Sequence, residues 1–281
     1  MIGICVDSNS QLPDSLAERF GIVVVPLTVT ADGVDHLEGV DITVESFYGL
    51  WDNGHVPAIS TSQPSPGRFA AAYEALAEQG ATEILSIHVA EAMSGTLNAA
   101  RLAAQTSPVP VTLVDSGTAS FGITCCAWAA AEAVESGASI SEAAAIAGAK
   151  SSGLGAAFIV GVPKLTQQSG RAGDARVEEA AEYGIPVLSL SGSDLAVLDT
   201  VATIDAAVSV MADYALGWLP TAPDGLRIAI GTSDVTSAPV SAALAAVLSA
   251  SPALAEPVVH YSIGPSVGAH TGPGTAGLFV F

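Results

Sequence analysis

The chain opens with the stretch Ile2-Gly3-Ile4-Cys5-Val6-Asp7-Ser8-Asn9-Ser10, an apolar run followed by four polar residues. The β-branched run predicts a buried strand, and the pattern from Pro13 to Gly21 predicts a short helix after it. A strand, a polar loop and a helix in this order form the repeating unit of a parallel α/β sheet.

The same order recurs through the first half of the chain. Further strands are predicted at residues 22–27, 83–89 and 111–114, and helical patterns stand between them. Buried strands joined through helices predict a four-stranded, mainly parallel sheet with helices on both faces. Val25 precedes a proline, which indicates that its strand ends there or lies at an edge.

The second half has more strands than crossover helices, with a hairpin connection at Gly192-Ser193-Asp194. This predicts an α+β domain with a mixed six-stranded sheet. The six strand candidates are residues 156–160, 187–190, 195–198, 227–230, 258–263 and 278–280. We therefore expect two domains, an α/β/α parallel-sheet domain over residues 1–154 and an α+β mixed-sheet domain over residues 155–281.

The charge and composition of the chain argue against several classes of protein. The 281 residues carry 8 basic and 28 acidic side chains, and a formal net charge of −20 argues against nucleic-acid binding. The start lacks the pattern of a secretory signal, and no apolar run is long enough to span a bilayer, so we expect a cytoplasmic protein without stable membrane insertion. Three cysteines fit buried thiols, and the five histidines lack metal-ligand spacing.

Several catalytic and nucleotide-binding motifs are missing. The chain has no phosphate-binding P-loop, no dinucleotide fingerprint after the first strand, no nucleophile elbow and no zinc-protease helix. These absences count against a nucleotide enzyme, a dinucleotide dehydrogenase, an α/β-hydrolase and a zinc protease.

Hydroxyl groups are concentrated in the stretch Thr61-Ser62-Gln63-Pro64-Ser65-Pro66-Gly67-Arg68-Phe69. Ser65 suits a helix N-cap and Pro66 the first helical position. We expect the preceding residues, Thr61 among them, to form a polar loop beside the helix start. Such a loop can hold a small anion, and an ordinary helix cap explains the same residues.

A second candidate lies where the third strand meets its helix. The Ser94 hydroxyl can face a ligand there while the amides of Gly95 and Thr96 supply donors. A plain N-cap is again an alternative. Because parallel sheets bind ligands at the carboxyl ends of their strands, we expect the polar loops at this edge to form the site.

The second half contributes a glycine- and proline-rich segment, residues 264–274, that we interpret as a rigid loop. Its histidine, His270, can donate a hydrogen bond to a carboxylate, act as a general base or simply lie at the surface. Arg171 can pair with an acidic residue such as Glu38, meet a ligand or remain solvated.

Eight short blocks follow one another along the chain. They are Val6-Asp7-Ser8-Asn9-Ser10 with Leu12-Pro13, Val25-Pro26-Leu27, Gly39-Val40-Asp41-Ile42-Thr43, Thr61-Ser62-Gln63-Pro64-Ser65-Pro66-Gly67, Ser94-Gly95-Thr96, Val114-Asp115-Ser116, Ser169-Gly170-Arg171 and Gly268-Ala269-His270-Thr271-Gly272-Pro273-Gly274. In this order the blocks resemble the DegV family of bacterial fatty-acid-binding proteins, and the resemblance runs nearly end to end.

The resemblance implies a non-catalytic lipid carrier that binds a long-chain fatty acid and buries its acyl chain. It implies no other cofactor, no metal and no catalytic residue, and it implies a separate fatty acid kinase as the partner to which the lipid is presented. The residues expected to hold the carboxylate are Thr61, Ser94, Gly95, His270 and Thr271. Those expected to support them are Arg171 and Glu38.

This chain departs from the family pattern at several charged positions. Ser169 stands where a glycine is usual, and Glu38 where an aspartate is common. The acidic run Glu178-Glu179-Ala180-Ala181-Glu182 and the segment Thr200-Val201-Ala202-Thr203-Ile204-Asp205 occupy places where the family has basic residues. These basic positions are the ones expected to meet the kinase.

Two other hypotheses remain open at the level of sequence. One is a hydrolase or transferase acting on a small carboxylate or acyl substrate, with His270 as base and Ser94 as nucleophile or anion holder. The other is a structural or regulatory protein whose acidic surface binds a basic partner.

Overall fold

The structure is a computed structural model that describes residues 1–221 and 225–281. It contains two compact units: the first comprises residues 1–41 and 58–152, and the second comprises residues 42–57 and 153–281. The main break between the units lies two residues before the predicted boundary at 154/155. Segment 42–57, predicted to be part of the first domain, belongs to the second unit. The domain limits themselves stay a prediction.

The described helices and strands are numbered in chain order. They are β1 Ile2–Asp7, α1 Asp14–Phe20, β2 Ile22–Val25, β3 Thr28–Ala31, β4 Val34–Leu37, α2 Val44–Tyr48, β5 Ile59–Ser62, α3 Pro66–Glu78, β6 Glu83–His88, α4 Thr96–Ala104, β7 Val111–Asp115, α5 Phe121–Glu135, α6 Ile140–Lys150, β8 Gly155–Ile159, α7 Pro163–Gln168, α8 Val177–Ala181, β9 Ile185–Ser191, β10 Asp194–Val201, α9 Ile204–Leu216, β11 Ile228–Thr232, α10 Ala238–Ser249, β12 Val259–Ser262, α11 Pro265–Thr271 and β13 Ala276–Val280.

The main sheet of the first unit has the order β2-β1-β6-β7, and each neighbouring pair is parallel. Apolar residues of α5 and α6 cover one face, and those of α3 and α4 cover the other. Strand β2 ends at Val25, before the proline, and lies at the sheet edge. The predicted three-layer α/β/α arrangement with a parallel four-stranded sheet is confirmed.

A small antiparallel sheet of order β4-β3-β5 was not predicted, and it corrects the expected position of Thr61. Thr61 lies within strand β5, opposite Val29 of β3, rather than in a loop. Each of these strands has only four residues, and β5 has the polar sequence Ile-Ser-Thr-Ser, which lacks the apolar alternation that marks a half-buried strand. The helix start was predicted correctly: Ser65 is the N-cap of α3 and Pro66 its first residue.

The sheet of the second unit has the order β10-β9-β8-β13-β11-β12. Strands β11 and β12 are parallel, whereas the other neighbouring pairs are antiparallel. All six strand candidates of the second half are therefore confirmed, as is the mixed sheet. Helices α9 and α10 pack their apolar residues against it.

The segment 264–274, predicted as a loop, contains helix α11. Pro265 begins this helix, and its missing N–H costs nothing at that position. Tyr48 of α2 donates its hydroxyl to the carbonyl of Ile263, 2.9 Å away, just before α11. Helix α11 lies so close to α2 that a Cβ atom built on Gly268 would come within 2.5 Å of the Tyr48 hydroxyl oxygen. The glycine was a signal of close packing rather than of a loop.

This contact gives a stability prediction. Gly268→Ala should lower stability by about 1–3 kcal/mol, because the added methyl group collides with α2. Gly148→Ala is the matched control, since Gly148 also lies in a helix and a Cβ there meets no atom within 4 Å. That change should raise stability by up to about 1 kcal/mol through helix propensity. Thermal unfolding midpoints check both, and equal losses in the two variants would contradict the packing argument.

Candidate functional site

The carboxyl end of β1 is organised around the Asp7 side chain, which is fully buried. Asp7 Oδ1 accepts a hydrogen bond from the amide of Asn9 at 3.1 Å, and Oδ2 accepts from the amide of Val89 at 3.1 Å. His88 Nδ1 lies 3.0 Å from the same Oδ2 atom. The end of β1 and the end of β6 are therefore joined through one carboxylate.

Glu38, a predicted supporting residue, lies next to this strand end in the first unit. Its carboxylate is buried and accepts a hydrogen bond from the hydroxyl of Ser8. The same hydroxyl accepts from the amide of Leu27 at 2.9 Å, and the Glu38 amide donates to the carbonyl of Leu27 at 3.0 Å. Glu38 is thus held in a defined position by the loop that follows β1.

Thr61 is half-buried on strand β5, whereas its neighbours Ser60 and Ser62 are exposed. Because successive side chains of a strand point to opposite faces, Thr61 shares the inner face with Ile59. The strand pairing with β3 fixes the backbone of Thr61 at a position that a flexible loop could not define.

Ser94 and Gly95 form the turn that leads into α4, as predicted. The Ser94 amide donates to the carbonyl of Ala90 at 3.1 Å, and the Ser94 hydroxyl lies 2.8 Å from the Thr96 hydroxyl. A Cβ atom built on Gly95 would lie 3.2 Å from Cδ of Gln63. The structure therefore brings this turn against the segment between β5 and α3.

In the second unit, the structure brings Arg171 and His270 together. His270 lies on α11, and its carbonyl accepts from the Thr166 hydroxyl of α7 at 2.9 Å. Arg171 Nη1 lies 3.4 Å from His270 Nδ1 and donates to the carbonyl of Ser169 at 3.2 Å. The Ser169 hydroxyl accepts from the Arg171 amide at 3.1 Å, so a residue that departs from the family pattern helps to fix the arginine.

The contact with Arg171 determines which ring nitrogen of His270 carries the proton. A guanidinium can only donate, so Nδ1 accepts and the proton of the neutral ring lies on Nε2. Burial, followed by the charge of Arg171, lowers the pKa of His270 to about 4. At neutral pH His270 is consequently an uncharged Nε2–H donor.

Thr271, the last predicted contact residue, is buried at the end of α11. Its hydroxyl donates to the carbonyl of Val267 at 3.3 Å, and its carbonyl accepts from the amide of Val162 at 3.0 Å. The following Gly272 has a φ of +76°, and a Cβ there would lie 2.4 Å from Cγ2 of Val162. These contacts give Thr271 a structural task, and its role in ligand binding stays a prediction.

Sequence reasoning missed Asp234, which holds the segment after α11. Asp234 Oδ1 accepts from the amide of Gly274 at 2.8 Å and from the hydroxyl of Ser233 at 2.8 Å. Burial acts to raise the pKa of Asp234, but bonds from Gly274, Ser233 and Thr236 outweigh it and lower that pKa. The run of short polar residues before α10 is a helix-start signal that could have identified it.

The cysteines do not suit nucleophilic chemistry. Burial raises the pKa of Cys5 to about 12 and that of Cys126 to about 12, so both remain thiols at neutral pH. Within the described ranges, no group of three or more histidine, cysteine or acidic side chains is arranged to hold a metal ion. No helix in those ranges has the length and apolar character needed to cross a membrane.

Known proteins similar to this chain cover its full length. The model of the DegV family, described as "Uncharacterised protein, DegV family", matches residues 1–281. A DegV domain-containing protein of Streptomyces coelicolor is 34% identical over 282 residues, which cover 99% of this chain and 98% of the relative.

Two solved structures extend the comparison. A DegV family protein from Thermus thermophilus, described as fatty acid binding, is 28% identical with a TM-score of 0.87 and covers 100% of this chain and 99% of its own. A DegV lipid-binding protein from Thermotoga maritima is 26% identical with a TM-score of 0.84, and the match covers 99% and 97% of the two chains.

The surroundings of His270 predict the pH at which its ring is protonated. Its ring signals in NMR spectra should titrate near pH 4, and Arg171→Met should raise the midpoint, because one of the two causes of the low pKa is removed. The midpoint should stay below the ordinary value of 6.5, since burial is the larger cause.

Lys164→Met provides the control for this titration. Lys164 is an exposed cation on the neighbouring helix α7, so its loss should leave the midpoint of His270 in place. A wild-type midpoint at or above 6.5 would show that His270 is not held in the buried, cationic surroundings described above.

Proposed function

This chain belongs to the DegV family, and we propose that it binds a long-chain fatty acid and buries the acyl chain. In the proposal, Thr61, Ser94 and His270 hold the carboxylate, with Gly95 and Thr271 beside them. Arg171 and Glu38 support these residues. The two solved relatives whose descriptions name fatty acid or lipid binding support the ligand class.

The observation that carries the proposal is the pairing of Arg171 with Nδ1 of His270, 3.4 Å apart. The pairing leaves Nε2–H as the donor of a neutral ring, and a neutral donor near one half-buried cation suits a ligand with a single negative charge. A doubly charged phosphate would need more positive charge than this arrangement supplies.

Hydroxyl groups complete the proposed set of donors. Thr61 is fixed by the pairing of β5, and Ser94 is fixed by its hydrogen bonds to Ala90 and Thr96. Each can donate one hydrogen bond to a carboxylate oxygen. Because these donors are held before the ligand arrives, little side-chain entropy is lost on binding.

The apolar tail supplies most of the affinity in this proposal. Transfer of an acyl chain from water contributes about 0.8 kcal/mol for each buried CH₂ group. The polar residues then determine the orientation of the ligand more than the strength of its binding.

We also propose that the protein is a carrier without catalysis of its own and presents the lipid to a separate fatty acid kinase. The site chemistry supports the first part of this proposal. The Ser94 hydroxyl lies 2.8 Å from the Thr96 hydroxyl and accepts a hydrogen bond from the Thr96 amide at 3.3 Å. A histidine with a pKa of about 4 is a weak general base at neutral pH. A hydrolase or transferase built on Ser94 and His270 is therefore the less favoured function.

The direct test is the identification of bound lipid. Native mass spectrometry of the purified protein should show a mass increment that disappears after extraction with organic solvent. The extract should contain fatty acid, and the stripped protein should rebind added long-chain fatty acid. Finding neither bound lipid nor rebinding would refute the proposal.

Substitutions should locate the carboxylate within this test. Thr61→Val and His270→Ala should each weaken fatty-acid binding about tenfold, the value of one lost hydrogen bond to a charged group. Thr30→Val is the control, because Thr30 lies on β3 of the same small sheet and bonds to the exposed Asp35. Equal affinities for wild type and all three variants, measured by calorimetric titration, would place the carboxylate elsewhere.

Binding should also change the protonation of His270. A bound carboxylate favours the charged ring, so the pKa of His270 should rise from about 4 when fatty acid is added. Affinity should accordingly increase as the pH falls through the pKa of His270 in the complex, and should level off near 4, its pKa in the free protein. NMR titration with and without ligand measures the shift, and an unchanged midpoint would show that the carboxylate does not contact His270.

A further inference from the structure

A continuous chain of hydrogen bonds crosses the core of the first unit. His88 Nδ1 lies 3.0 Å from Asp7 Oδ2, His88 Nε2 lies 2.6 Å from Ser86 Oγ, and Ser86 Oγ lies 2.9 Å from the Tyr73 hydroxyl. All four residues have 0% of their surface exposed. The chain therefore joins β1, β6 and α3 away from solvent.

The direction of these bonds follows from the donors and acceptors available. Two backbone amides already donate to the Asp7 carboxylate, so His88 Nδ1 is its third donor. A ring whose proton lies on Nδ1 accepts at Nε2 from the Ser86 hydroxyl, and the Ser86 oxygen accepts from the Tyr73 hydroxyl. In this direction every donor has an acceptor. The opposite direction would leave the Tyr73 proton buried without an acceptor, which is costly.

The sequence of groups, aspartate to histidine to serine, is the same as in a serine hydrolase. Ser86 is nevertheless sealed from solvent and shares its oxygen with Tyr73, so no substrate carbonyl can reach it. This chain of hydrogen bonds therefore has a role other than catalysis on a bound substrate.

This chain of hydrogen bonds holds the backbone that leads to Ser94, one of the proposed carboxylate residues. Asp7 fixes the amide of Val89, and the next residue, Ala90, donates to Thr118 at 2.8 Å and accepts from the Ser94 amide at 3.1 Å. Two short steps therefore connect the buried carboxylate to Ser94.

The other end of the chain holds α3. Tyr73 bonds to Ser86 from this helix, and the ring of Phe69, one turn earlier, meets the edge of His88 with centroids 4.9 Å apart. Helix α3 begins at Pro66, a few residues after the end of β5, and Gln63 between them lies against Gly95. The segment that carries Thr61 is thereby tied to the same chain.

We propose that the buried chain Asp7–His88–Ser86–Tyr73 positions the turn at Ser94 and the segment at Thr61 relative to each other, with His88 as the Nδ1–H tautomer. This inference rests on the proposed fatty-acid function, because the two segments are the parts of that site in the first unit. Its members are positioning residues, since none is expected to touch the ligand.

The test compares variants that remove different hydrogen bonds of the buried chain. Ser86→Ala removes the link between His88 and Tyr73 and should weaken fatty-acid binding about tenfold. Tyr73→Phe breaks the same link from the side of α3 but leaves the bond from Ser86 to His88 in place, so it should weaken binding by a smaller factor, about threefold. Ser241→Ala is the matched control, because Ser241 is also buried and donates to the carbonyl of Gly231, 3.1 Å away, in the second unit. It should lower the thermal midpoint and leave affinity unchanged.

Two measurements without ligand keep this test separate from the proposed function. In ¹⁵N NMR spectra of the wild type, His88 should carry its proton on Nδ1. The amide signals of Thr61 and Gly95 should move in Ser86→Ala and stay in place in Ser241→Ala.

A proton on Nε2 of His88 would overturn the positioning role of the buried chain, even if the protein binds fatty acid. Unchanged amide signals of Thr61 and Gly95 in Ser86→Ala would also overturn it. Affinity losses in Ser86→Ala no larger than in Ser241→Ala would overturn it as well. A wild-type protein that binds no fatty acid, but shows the expected tautomer and amide shifts, would instead refute the proposed function and with it the chain's role in ligand binding.

Discussion

The first unit depends on the hydrogen bonds that the buried carboxylate of Asp7 accepts. A carboxylate removed from water costs several kcal/mol unless donors surround it, and the amides of Asn9 and Val89 together with the ring of His88 provide them. These donors come from two neighbouring strand ends. The electrostatic requirement of one side chain therefore fixes the sheet edge that leads into the turn at Ser94.

The second unit obeys a complementary constraint. Burial and the charge of Arg171 keep His270 neutral, and Arg171 in turn is held by Ser169. Helix α11 can lie against α2 because Gly268 has no side chain. Each unit thus holds neutral hydrogen-bond donors on rigid elements.

The sequence predicted features that depend on local chemistry and missed those that depend on distant contacts. The cap at Ser65, the edge strand ending at Val25 and all strands of both large sheets were recognisable because propensity and spacing determine them. The strand containing Thr61 was missed because its pairing with β3 bridges more than thirty residues of chain. The bond between Asp7 and His88 joins residues 81 positions apart, so no local pattern could reveal it.

The proposal on which the other predictions depend is that a fatty-acid carboxylate is held by Thr61, Ser94 and His270. A crystal structure of the protein saturated with a long-chain fatty acid tests it most directly. We expect the carboxylate oxygens to lie within hydrogen-bond distance of the two hydroxyls and of Nε2 of His270. A fatty acid whose carboxylate contacts none of these three atoms would contradict it.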